Sequence, residues 1–152
     1  GFFKSSHAWR RIAIRGRVPR RAPTIPGVTS TQTADVATRL AELYRKGEFA
    51  TAHAELFAQD AISIEPEGAS GEVVAGVSAI RKTGHSCPNA VERVHRIDVD
   101  EPLVAGDYFS VSMSLDSTVV GRGRVAVDEL CVYYLVDSGK IVSERFFYTF
   151  GG

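Results

Sequence analysis

At 152 residues, with 44% hydrophobic and 24% charged residues, the chain has the profile of one soluble globular domain and not of a disordered or fibrous protein. No apolar run approaches the roughly 20 residues that cross a bilayer, so no membrane span is expected, and two cysteines, Cys87 and Cys131, without CxxC spacing exclude a zinc knuckle and a disulfide scaffold. The formal charge of zero conceals an asymmetry: residues 1–28 carry seven of the 18 basic residues and no acid, leaving 11 basic against 18 acidic residues, a net −7.

The basic, proline-containing arm and the acidic body are thus two regions, a basic N-terminal extension over 1–30 and an α+β domain over 31–152. Three roles suit the arm: an organellar targeting peptide, a weak polyanion-binding tail that could meet nucleic acid, or an extension with no role of its own. No apolar segment follows its charges, which excludes a secretory signal and leaves a cytoplasmic location expected, or organellar import if the arm is a targeting peptide.

From Thr33 to Lys46, Val36, Ala37, Leu40, Leu43 and Tyr44 mark a helical stripe that Gly47 ends. A second helix is predicted over Glu48 to Ala58 from Phe49, Ala52, Leu56 and Phe57, and a first strand over Ala61 to Pro66. Glu67 to Ala75 reads as a loop and Gly76 to Lys82 as a short third helix. Four strands follow, Val91 to Asp100, Asp107 to Thr118, Arg124 to Val136 and Lys140 to Phe150, with Asp137-Ser138-Gly139 as a hairpin turn. Helices followed by a run of strands predict helices gathered on one side of a single, mainly antiparallel sheet.

This order, with Glu55-Leu56-Phe57-Ala58-Gln59-Asp60-Ala61, Ser63-Ile64-Glu65-Pro66, Gly76-Val77-Ser78-Ala79-Ile80, Asp128-Glu129 leading to Tyr133, and Gly139 to Tyr148, resembles the nuclear transport factor 2-like (cystatin-like) cone. Within that superfamily it is most similar to the SnoaL-like families. The resemblance implies three helices packed on a strongly bent sheet, with a pocket between them. In the ketosteroid isomerases of the superfamily a Leu-Phe-Ala-Asp-Asp-Ala segment leads into a catalytic Asp-Pro that falls on Glu65-Pro66. Glu65 is accordingly the first candidate for a base. The places of the tyrosine and the protonated acid that hold the enolate oxygen in those enzymes fall near Leu40 and Cys131, so both donors are expected to be missing.

Strand alternation, anchored on the inward face that the resemblance implies at position 131, turns Glu129, Cys131 and Tyr133 inward on one strand and Val142, Glu144, Phe146 and Tyr148 on the next, leaving Arg145 outward. His95, Phe109 and Met113 lie on apolar faces that suit the interior. The candidate catalytic residues are therefore Glu65, Glu129, Glu144 and His95, and the candidate ligand-binding residues Phe109, Met113, Cys131, Tyr133, Phe146 and Tyr148. Glutamates clustered within apolar walls should have separated pKa values, one serving as acid and another as base. Each has a plainer structural reading: Glu129 bonded to a tyrosine or histidine, Glu144 paired with Arg145 or Arg124, Glu65 capping a loop, His95 and the tyrosines simply packed.

The four histidines show no HxH or HxxxH spacing, Gly121-Arg122-Gly123-Arg124 lacks the following helix of a dinucleotide loop, and no GxSxG elbow is present. No metal or cofactor is expected. The function expected is a pocket for a small apolar or amphipathic organic molecule, either a cofactor-independent isomerase, cyclase or epoxide-hydrolase-like enzyme using a glutamate base, or a non-catalytic ligand-binding or dimerisation module. Leu130, Val132, Tyr134 and Phe147 on the outer sheet face predict a homodimer.

Overall fold

The computed structural model describes residues 30–69, 73–83, 90–135 and 138–149. The basic arm, with its targeting and polyanion-binding readings, lies outside them. Helix α1 (Ser30–Arg45) and helix α2 (Phe49–Leu56) form a hairpin, followed by strand β1 (Phe57–Ile64), strand β2 (Val73–Ala75) and the single-turn helix α3 (Val77–Ile80). Strands β3 (Val91–Val99), β4 (Leu103–Ala105), β5 (Tyr108–Val119), β6 (Gly123–Leu135) and β7 (Ile141–Phe147) complete the chain.

Gly47 stops α1 through a Schellman closure. Its φ of 73° is left-handed, its N–H bonds the carbonyl of Tyr44 at 2.9 Å, and the Glu48 N–H bonds that of Leu43 at 2.9 Å, which satisfies carbonyls the helix end would otherwise leave open. The turn lets α2 fold back at once. Helix α2 ends at Leu56, earlier than its periodicity suggests, because the backbone of Phe57 is already extended and starts β1. Arg45 then ties the end of α1 to the sheet, its Nε bonding the Val99 carbonyl at 3.0 Å.

The strands form one sheet in the order β2-β1-β7-β6-β5-β3, with β4 pairing on β5. All neighbours are antiparallel except β1 and β7, which run parallel. The sequence signals find five of the seven strands. The missing two, β2 and β4, are three residues each, too short to show alternation, and fall within the stretches read as loop and turn. Helix α3 is likewise shorter than Gly76 to Lys82, closing with Arg81 N–H on the Val77 carbonyl at 3.1 Å.

The sheet is bent and open, and the helix pair covers only part of its concave face. Leu40, Leu43, Phe57, Phe109, Tyr133 and Ile141 form the centre of the core. Phe109 and Tyr133 stack at 4.7 Å, and Phe57 meets Tyr133 edge-on at 6.3 Å. Phe109 and Tyr133, which pair across β5 and β6, lie in the half of these strands next to the Asp107 turn. At the other end, toward the β5–β6 turn, no helix fills the concavity, and a cavity remains.

Because Phe109 is only 1% exposed within this cluster, Phe109→Ala should destabilise the fold by about 3–5 kcal/mol, read as a lower midpoint in urea with an unchanged slope.

Candidate functional site

The cavity has a volume of about 650 Å³, ample for a small organic ligand. Met113, Val119, Val127 and Phe146 give it apolar walls, and Glu65, Glu129 and Glu144 face it together with Tyr148. All three predicted glutamates therefore meet in one place, as do Met113, Phe146 and Tyr148 among the predicted ligand contacts.

Sheet register explains the convergence. Glu144 on β7 pairs with Ser63 of β1 on one side and with Tyr133 of β6 on the other, while Glu129 on β6 pairs with Met113 of β5. Glu65 follows the last residue of β1, and Tyr148 follows the last residue of β7, so the parallel pairing of these strands brings both side chains to the same edge. There the Tyr148 hydroxyl donates to Glu65 Oε2 at 2.7 Å. Burial, then this hydrogen bond, push the Tyr148 hydroxyl pKa well up, so it remains a neutral donor.

Glu144 is the carboxyl whose chemistry the fold changes most. It is 2% exposed, and its pKa is raised from the ordinary 4.5 to about 8. Desolvation is the main cause, a hydrogen bond with Ser63 opposes it, and the neighbouring Glu65 and Glu129 add to it. Its Oε2 has no hydrogen-bond partner. At neutral pH Glu144 is thus a carboxylic acid and can donate a proton or a hydrogen bond. The alternative of a surface ion pair with Arg145 or Arg124 is absent: Arg124 bonds Asp116 through two contacts of 2.9 and 2.8 Å, and Arg145 lies outside, over the Phe147 ring at 5.3 Å.

Four predicted site residues stand elsewhere. His95 is exposed, with Nε2 at 2.8 Å from Thr118 Oγ1. The expected inward face fails because β3 is irregular: Val94 pairs with Ser117 and Arg96 with Asp116, leaving His95 as the extra residue of a bulge that breaks alternation. Phe109, Cys131 and Tyr133 point inward as expected but lie in the half of the sheet the helices cover, so they are core and not cavity wall. Burial raises the Cys131 thiol pKa strongly and leaves it inert. A second bulge shifts β7, where Leu135 pairs with Ile141 and Tyr134 with Ser143, so Ile141 takes the buried position expected of Val142.

The structure adds residues that the sequence reading omits. Tyr44, one helical turn beyond Leu40, lines the cavity, and burial, reinforced by Glu144, raises its hydroxyl pKa. His53 also lines it at 2% exposure, packed edge-on to Phe57 at 4.6 Å. Desolvation, aided by the Arg81 charge, lowers its pKa to about 4, so its ring is neutral. The spacing of His53, four after Phe49 and three before Leu56, already places it on the buried stripe of α2. Among the described residues no three His, Cys, Asp or Glu side chains are grouped to hold a metal ion, and no helix is long and apolar enough to cross a membrane.

A bent, open sheet wrapped on a helix pair with a cavity at one end defines the nuclear transport factor 2-like cone. Within that class the chain belongs to the SnoaL-like domain family, whose pattern it matches over residues 31–148. It is 34% identical to a candidate SnoaL-like polyketide cyclase from Mesorhizobium loti, over 76% of this chain and 97% of that one, with a TM-score of 0.68. The fold is shared with SalBIII, an epoxide hydrolase/cyclase-like enzyme in pyran ring formation in the polyether salinomycin, at 22% identity over 78% and 92% of the two chains and a TM-score of 0.62. It is shared too with a ketosteroid isomerase-like protein from Catenulispora acidiphila in complex with trimethylamine, at 18% identity over 76% and 85% and a TM-score of 0.55. No curated protein matches the sequence.

The Glu144 carboxyl sets a pH dependence. The folded group keeps its proton to about pH 8 and the unfolded one only to about 4.5, so the folded state binds the extra proton between those values. The stabilisation is complete below about pH 4.5 and is lost as pH rises to about 8. Glu144→Gln should remove this component, making the variant more stable than the native chain at pH 8, as urea titrations across the range would show.

Proposed function

We propose that the cavity binds a small, largely apolar organic molecule carrying a carbonyl or similar oxygen and that the protein is a cofactor-independent enzyme of proton-transfer chemistry, an isomerase or cyclase. The observation that carries this reading is the convergence of two unlike carboxyl groups on one cavity, the half-buried Glu65 held by Tyr148 and the fully buried, protonated Glu144. Such a pair supports division of labour between base and acid.

Glu65 takes the proton from carbon. Its Oε2 is oriented by the Tyr148 hydroxyl, and a carboxylate retains further lone pairs for the substrate. Glu144 and Tyr44, both neutral donors, then hold the oxygen on which negative charge develops. The resemblance leaves Leu40 and Cys131, which cannot donate in this way, at the places of the two donors; in this reading Tyr44, one turn along α1, and Glu144, on the neighbouring strand, take over that part. Glu129 adds to the raised pKa of Glu144 and does not itself need to move a proton. Water addition to an epoxide fits less well, since the arginine beside the last strand's acid, Arg145, faces outward.

The test is solvent deuterium uptake, followed by NMR, in a panel of enolisable ketones and esters with aromatic or alicyclic bodies. Glu65→Gln should slow exchange by about 10²–10⁴-fold, whereas Glu144→Gln, which keeps a neutral donor, should lose far less. Compounds that bind without exchanging would instead make the protein a ligand-binding module.

We also infer a homodimer through the outer sheet face, where Leu130, Phe147 and Tyr108 are 44%, 47% and 51% exposed around the stacked Tyr108–Tyr134 pair at 4.8 Å. Light scattering at micromolar concentration should give twice the chain mass, and Leu130→Lys with Phe147→Lys should return it to one. The basic arm over 1–30 is proposed to be separable from this domain, since helix α1 begins only at Ser30, at the arm's last position.

A further inference from the structure

Four arginines elsewhere on this domain are held by acids. Arg39 pairs with Glu55, Arg45 with Glu101, Arg96 with Asp98 and Arg124 with Asp116. Two cations that line the cavity differ. Lys82, just after α3, and Arg122, at the tip of the β5–β6 turn, are both exposed, and neither makes an ion pair with an acid among the described residues. The turn is built to present Arg122: Gly121 and Gly123 on either side adopt φ of 74° and 78°, and the Arg122 N–H closes the turn on the Val119 carbonyl at 3.1 Å. The next arginine in the same Gly-Arg-Gly-Arg run, Arg124, is spent on Asp116.

The cavity is therefore graded. Two exposed cations with no acid partner among the described residues stand at its mouth, and its interior holds three carboxyl groups among apolar walls. A neutral ligand would gain no charge pairing from the two cations, and a cationic one would be repelled at entry. An anionic group driven inside would meet the glutamates and lose hydration without compensation. An amphipathic anion satisfies both ends, with its charge left at the mouth and its apolar body against Met113, Val127 and Phe146.

We propose that Lys82 and Arg122 form an anion-binding rim that selects amphipathic carboxylates for the cavity and seats them head outward. This rests on the reading of the cavity as a ligand pocket and adds to it the class and the orientation of the ligand. Orientation has a chemical consequence, because it fixes which part of the molecule reaches the glutamates, while the head group stays clear of them. The rim's contribution is modest and salt-sensitive, as for partly exposed ion pairs.

The experiment compares two probes of one shape, 1-naphthylacetate and 1-naphthylacetamide, by calorimetric titration of the full chain. The acid should bind about tenfold tighter than the amide in low salt, and the preference should shrink in about 0.5 M sodium chloride. In a Lys82→Ala, Arg122→Ala double variant the two probes should bind alike, with amide affinity unchanged as an internal check on folding. Equal binding of both probes by the native chain, or a preference that survives in the double variant, overturns the rim while leaving the pocket and its Glu65 chemistry intact. Binding of neither probe overturns the rim and the ligand-pocket reading together, and the deuterium exchange experiment, which does not depend on these cations, then decides whether any chemistry remains.

Discussion

The site depends on a mismatch of lengths. Strands β5 and β6 run for 12 and 13 residues, about 40 Å each at roughly 3.3 Å per residue, whereas α1 and α2 have 16 and eight residues and span only about 24 and 12 Å. The helix pair can cover one half of the concave face. Over that half Phe109, Cys131 and Tyr133 become close-packed core. Over the other, the same inward alternation delivers Met113, Glu129 and Val127 to open space. One sheet face thus serves as core and as cavity wall, and the boundary is set by where α1 and α2 stop.

The electrostatics follow from that boundary. Glu144 sits in the row Ser63, Glu144, Tyr133, beside the packed half, and is stripped of water from almost every side. Glu65 stands one step past the end of β1 and keeps partial contact with solvent. Two carboxyl groups of identical chemistry thus differ in burial, and the deeper one, Glu144, has its pKa raised chiefly by desolvation. A buried acid that folds neutral is tolerable where an ionised one would need a cation beside it, which is why no arginine accompanies Glu144 into the interior.

Much of this was legible in the residues. The helical stripe of α1, the glycine stop at Gly47 and the four long strands follow from periodicity and turn chemistry, and the family resemblance locates Glu65, Glu129 and Glu144 at one cavity. What failed did so where a single extra residue enters a strand. The bulge at His95 reverses that side chain, and the bulge beside Leu135 exchanges Ile141 for Val142, because period-two reasoning has no way to register an insertion. The loss of Phe109, Cys131 and Tyr133 to the core has another origin: alternation tells which face a residue takes, not what covers that face. His53 was readable from its helical spacing, whereas Arg122 was not, since its position comes from the twist of a hairpin tip.

The parallel pairing of β1 with β7 carries a kinetic meaning as well. Glu65 and Tyr148 are 83 positions apart and are joined by a hydrogen bond, and β1 has no neighbour in the sheet other than the short β2 until β7 is in place. On a ribosome the helix pair and β1 emerge early and must wait for nearly the whole chain before they acquire their partner. Contacts of such long sequence separation slow folding, and they make the edge that carries Glu65 and Tyr148 the last part of the molecule to assemble. A nascent or C-terminally shortened chain can hold most of the meander from β3 to β6, yet it has no Tyr148 to orient Glu65 and no Glu144 in the wall.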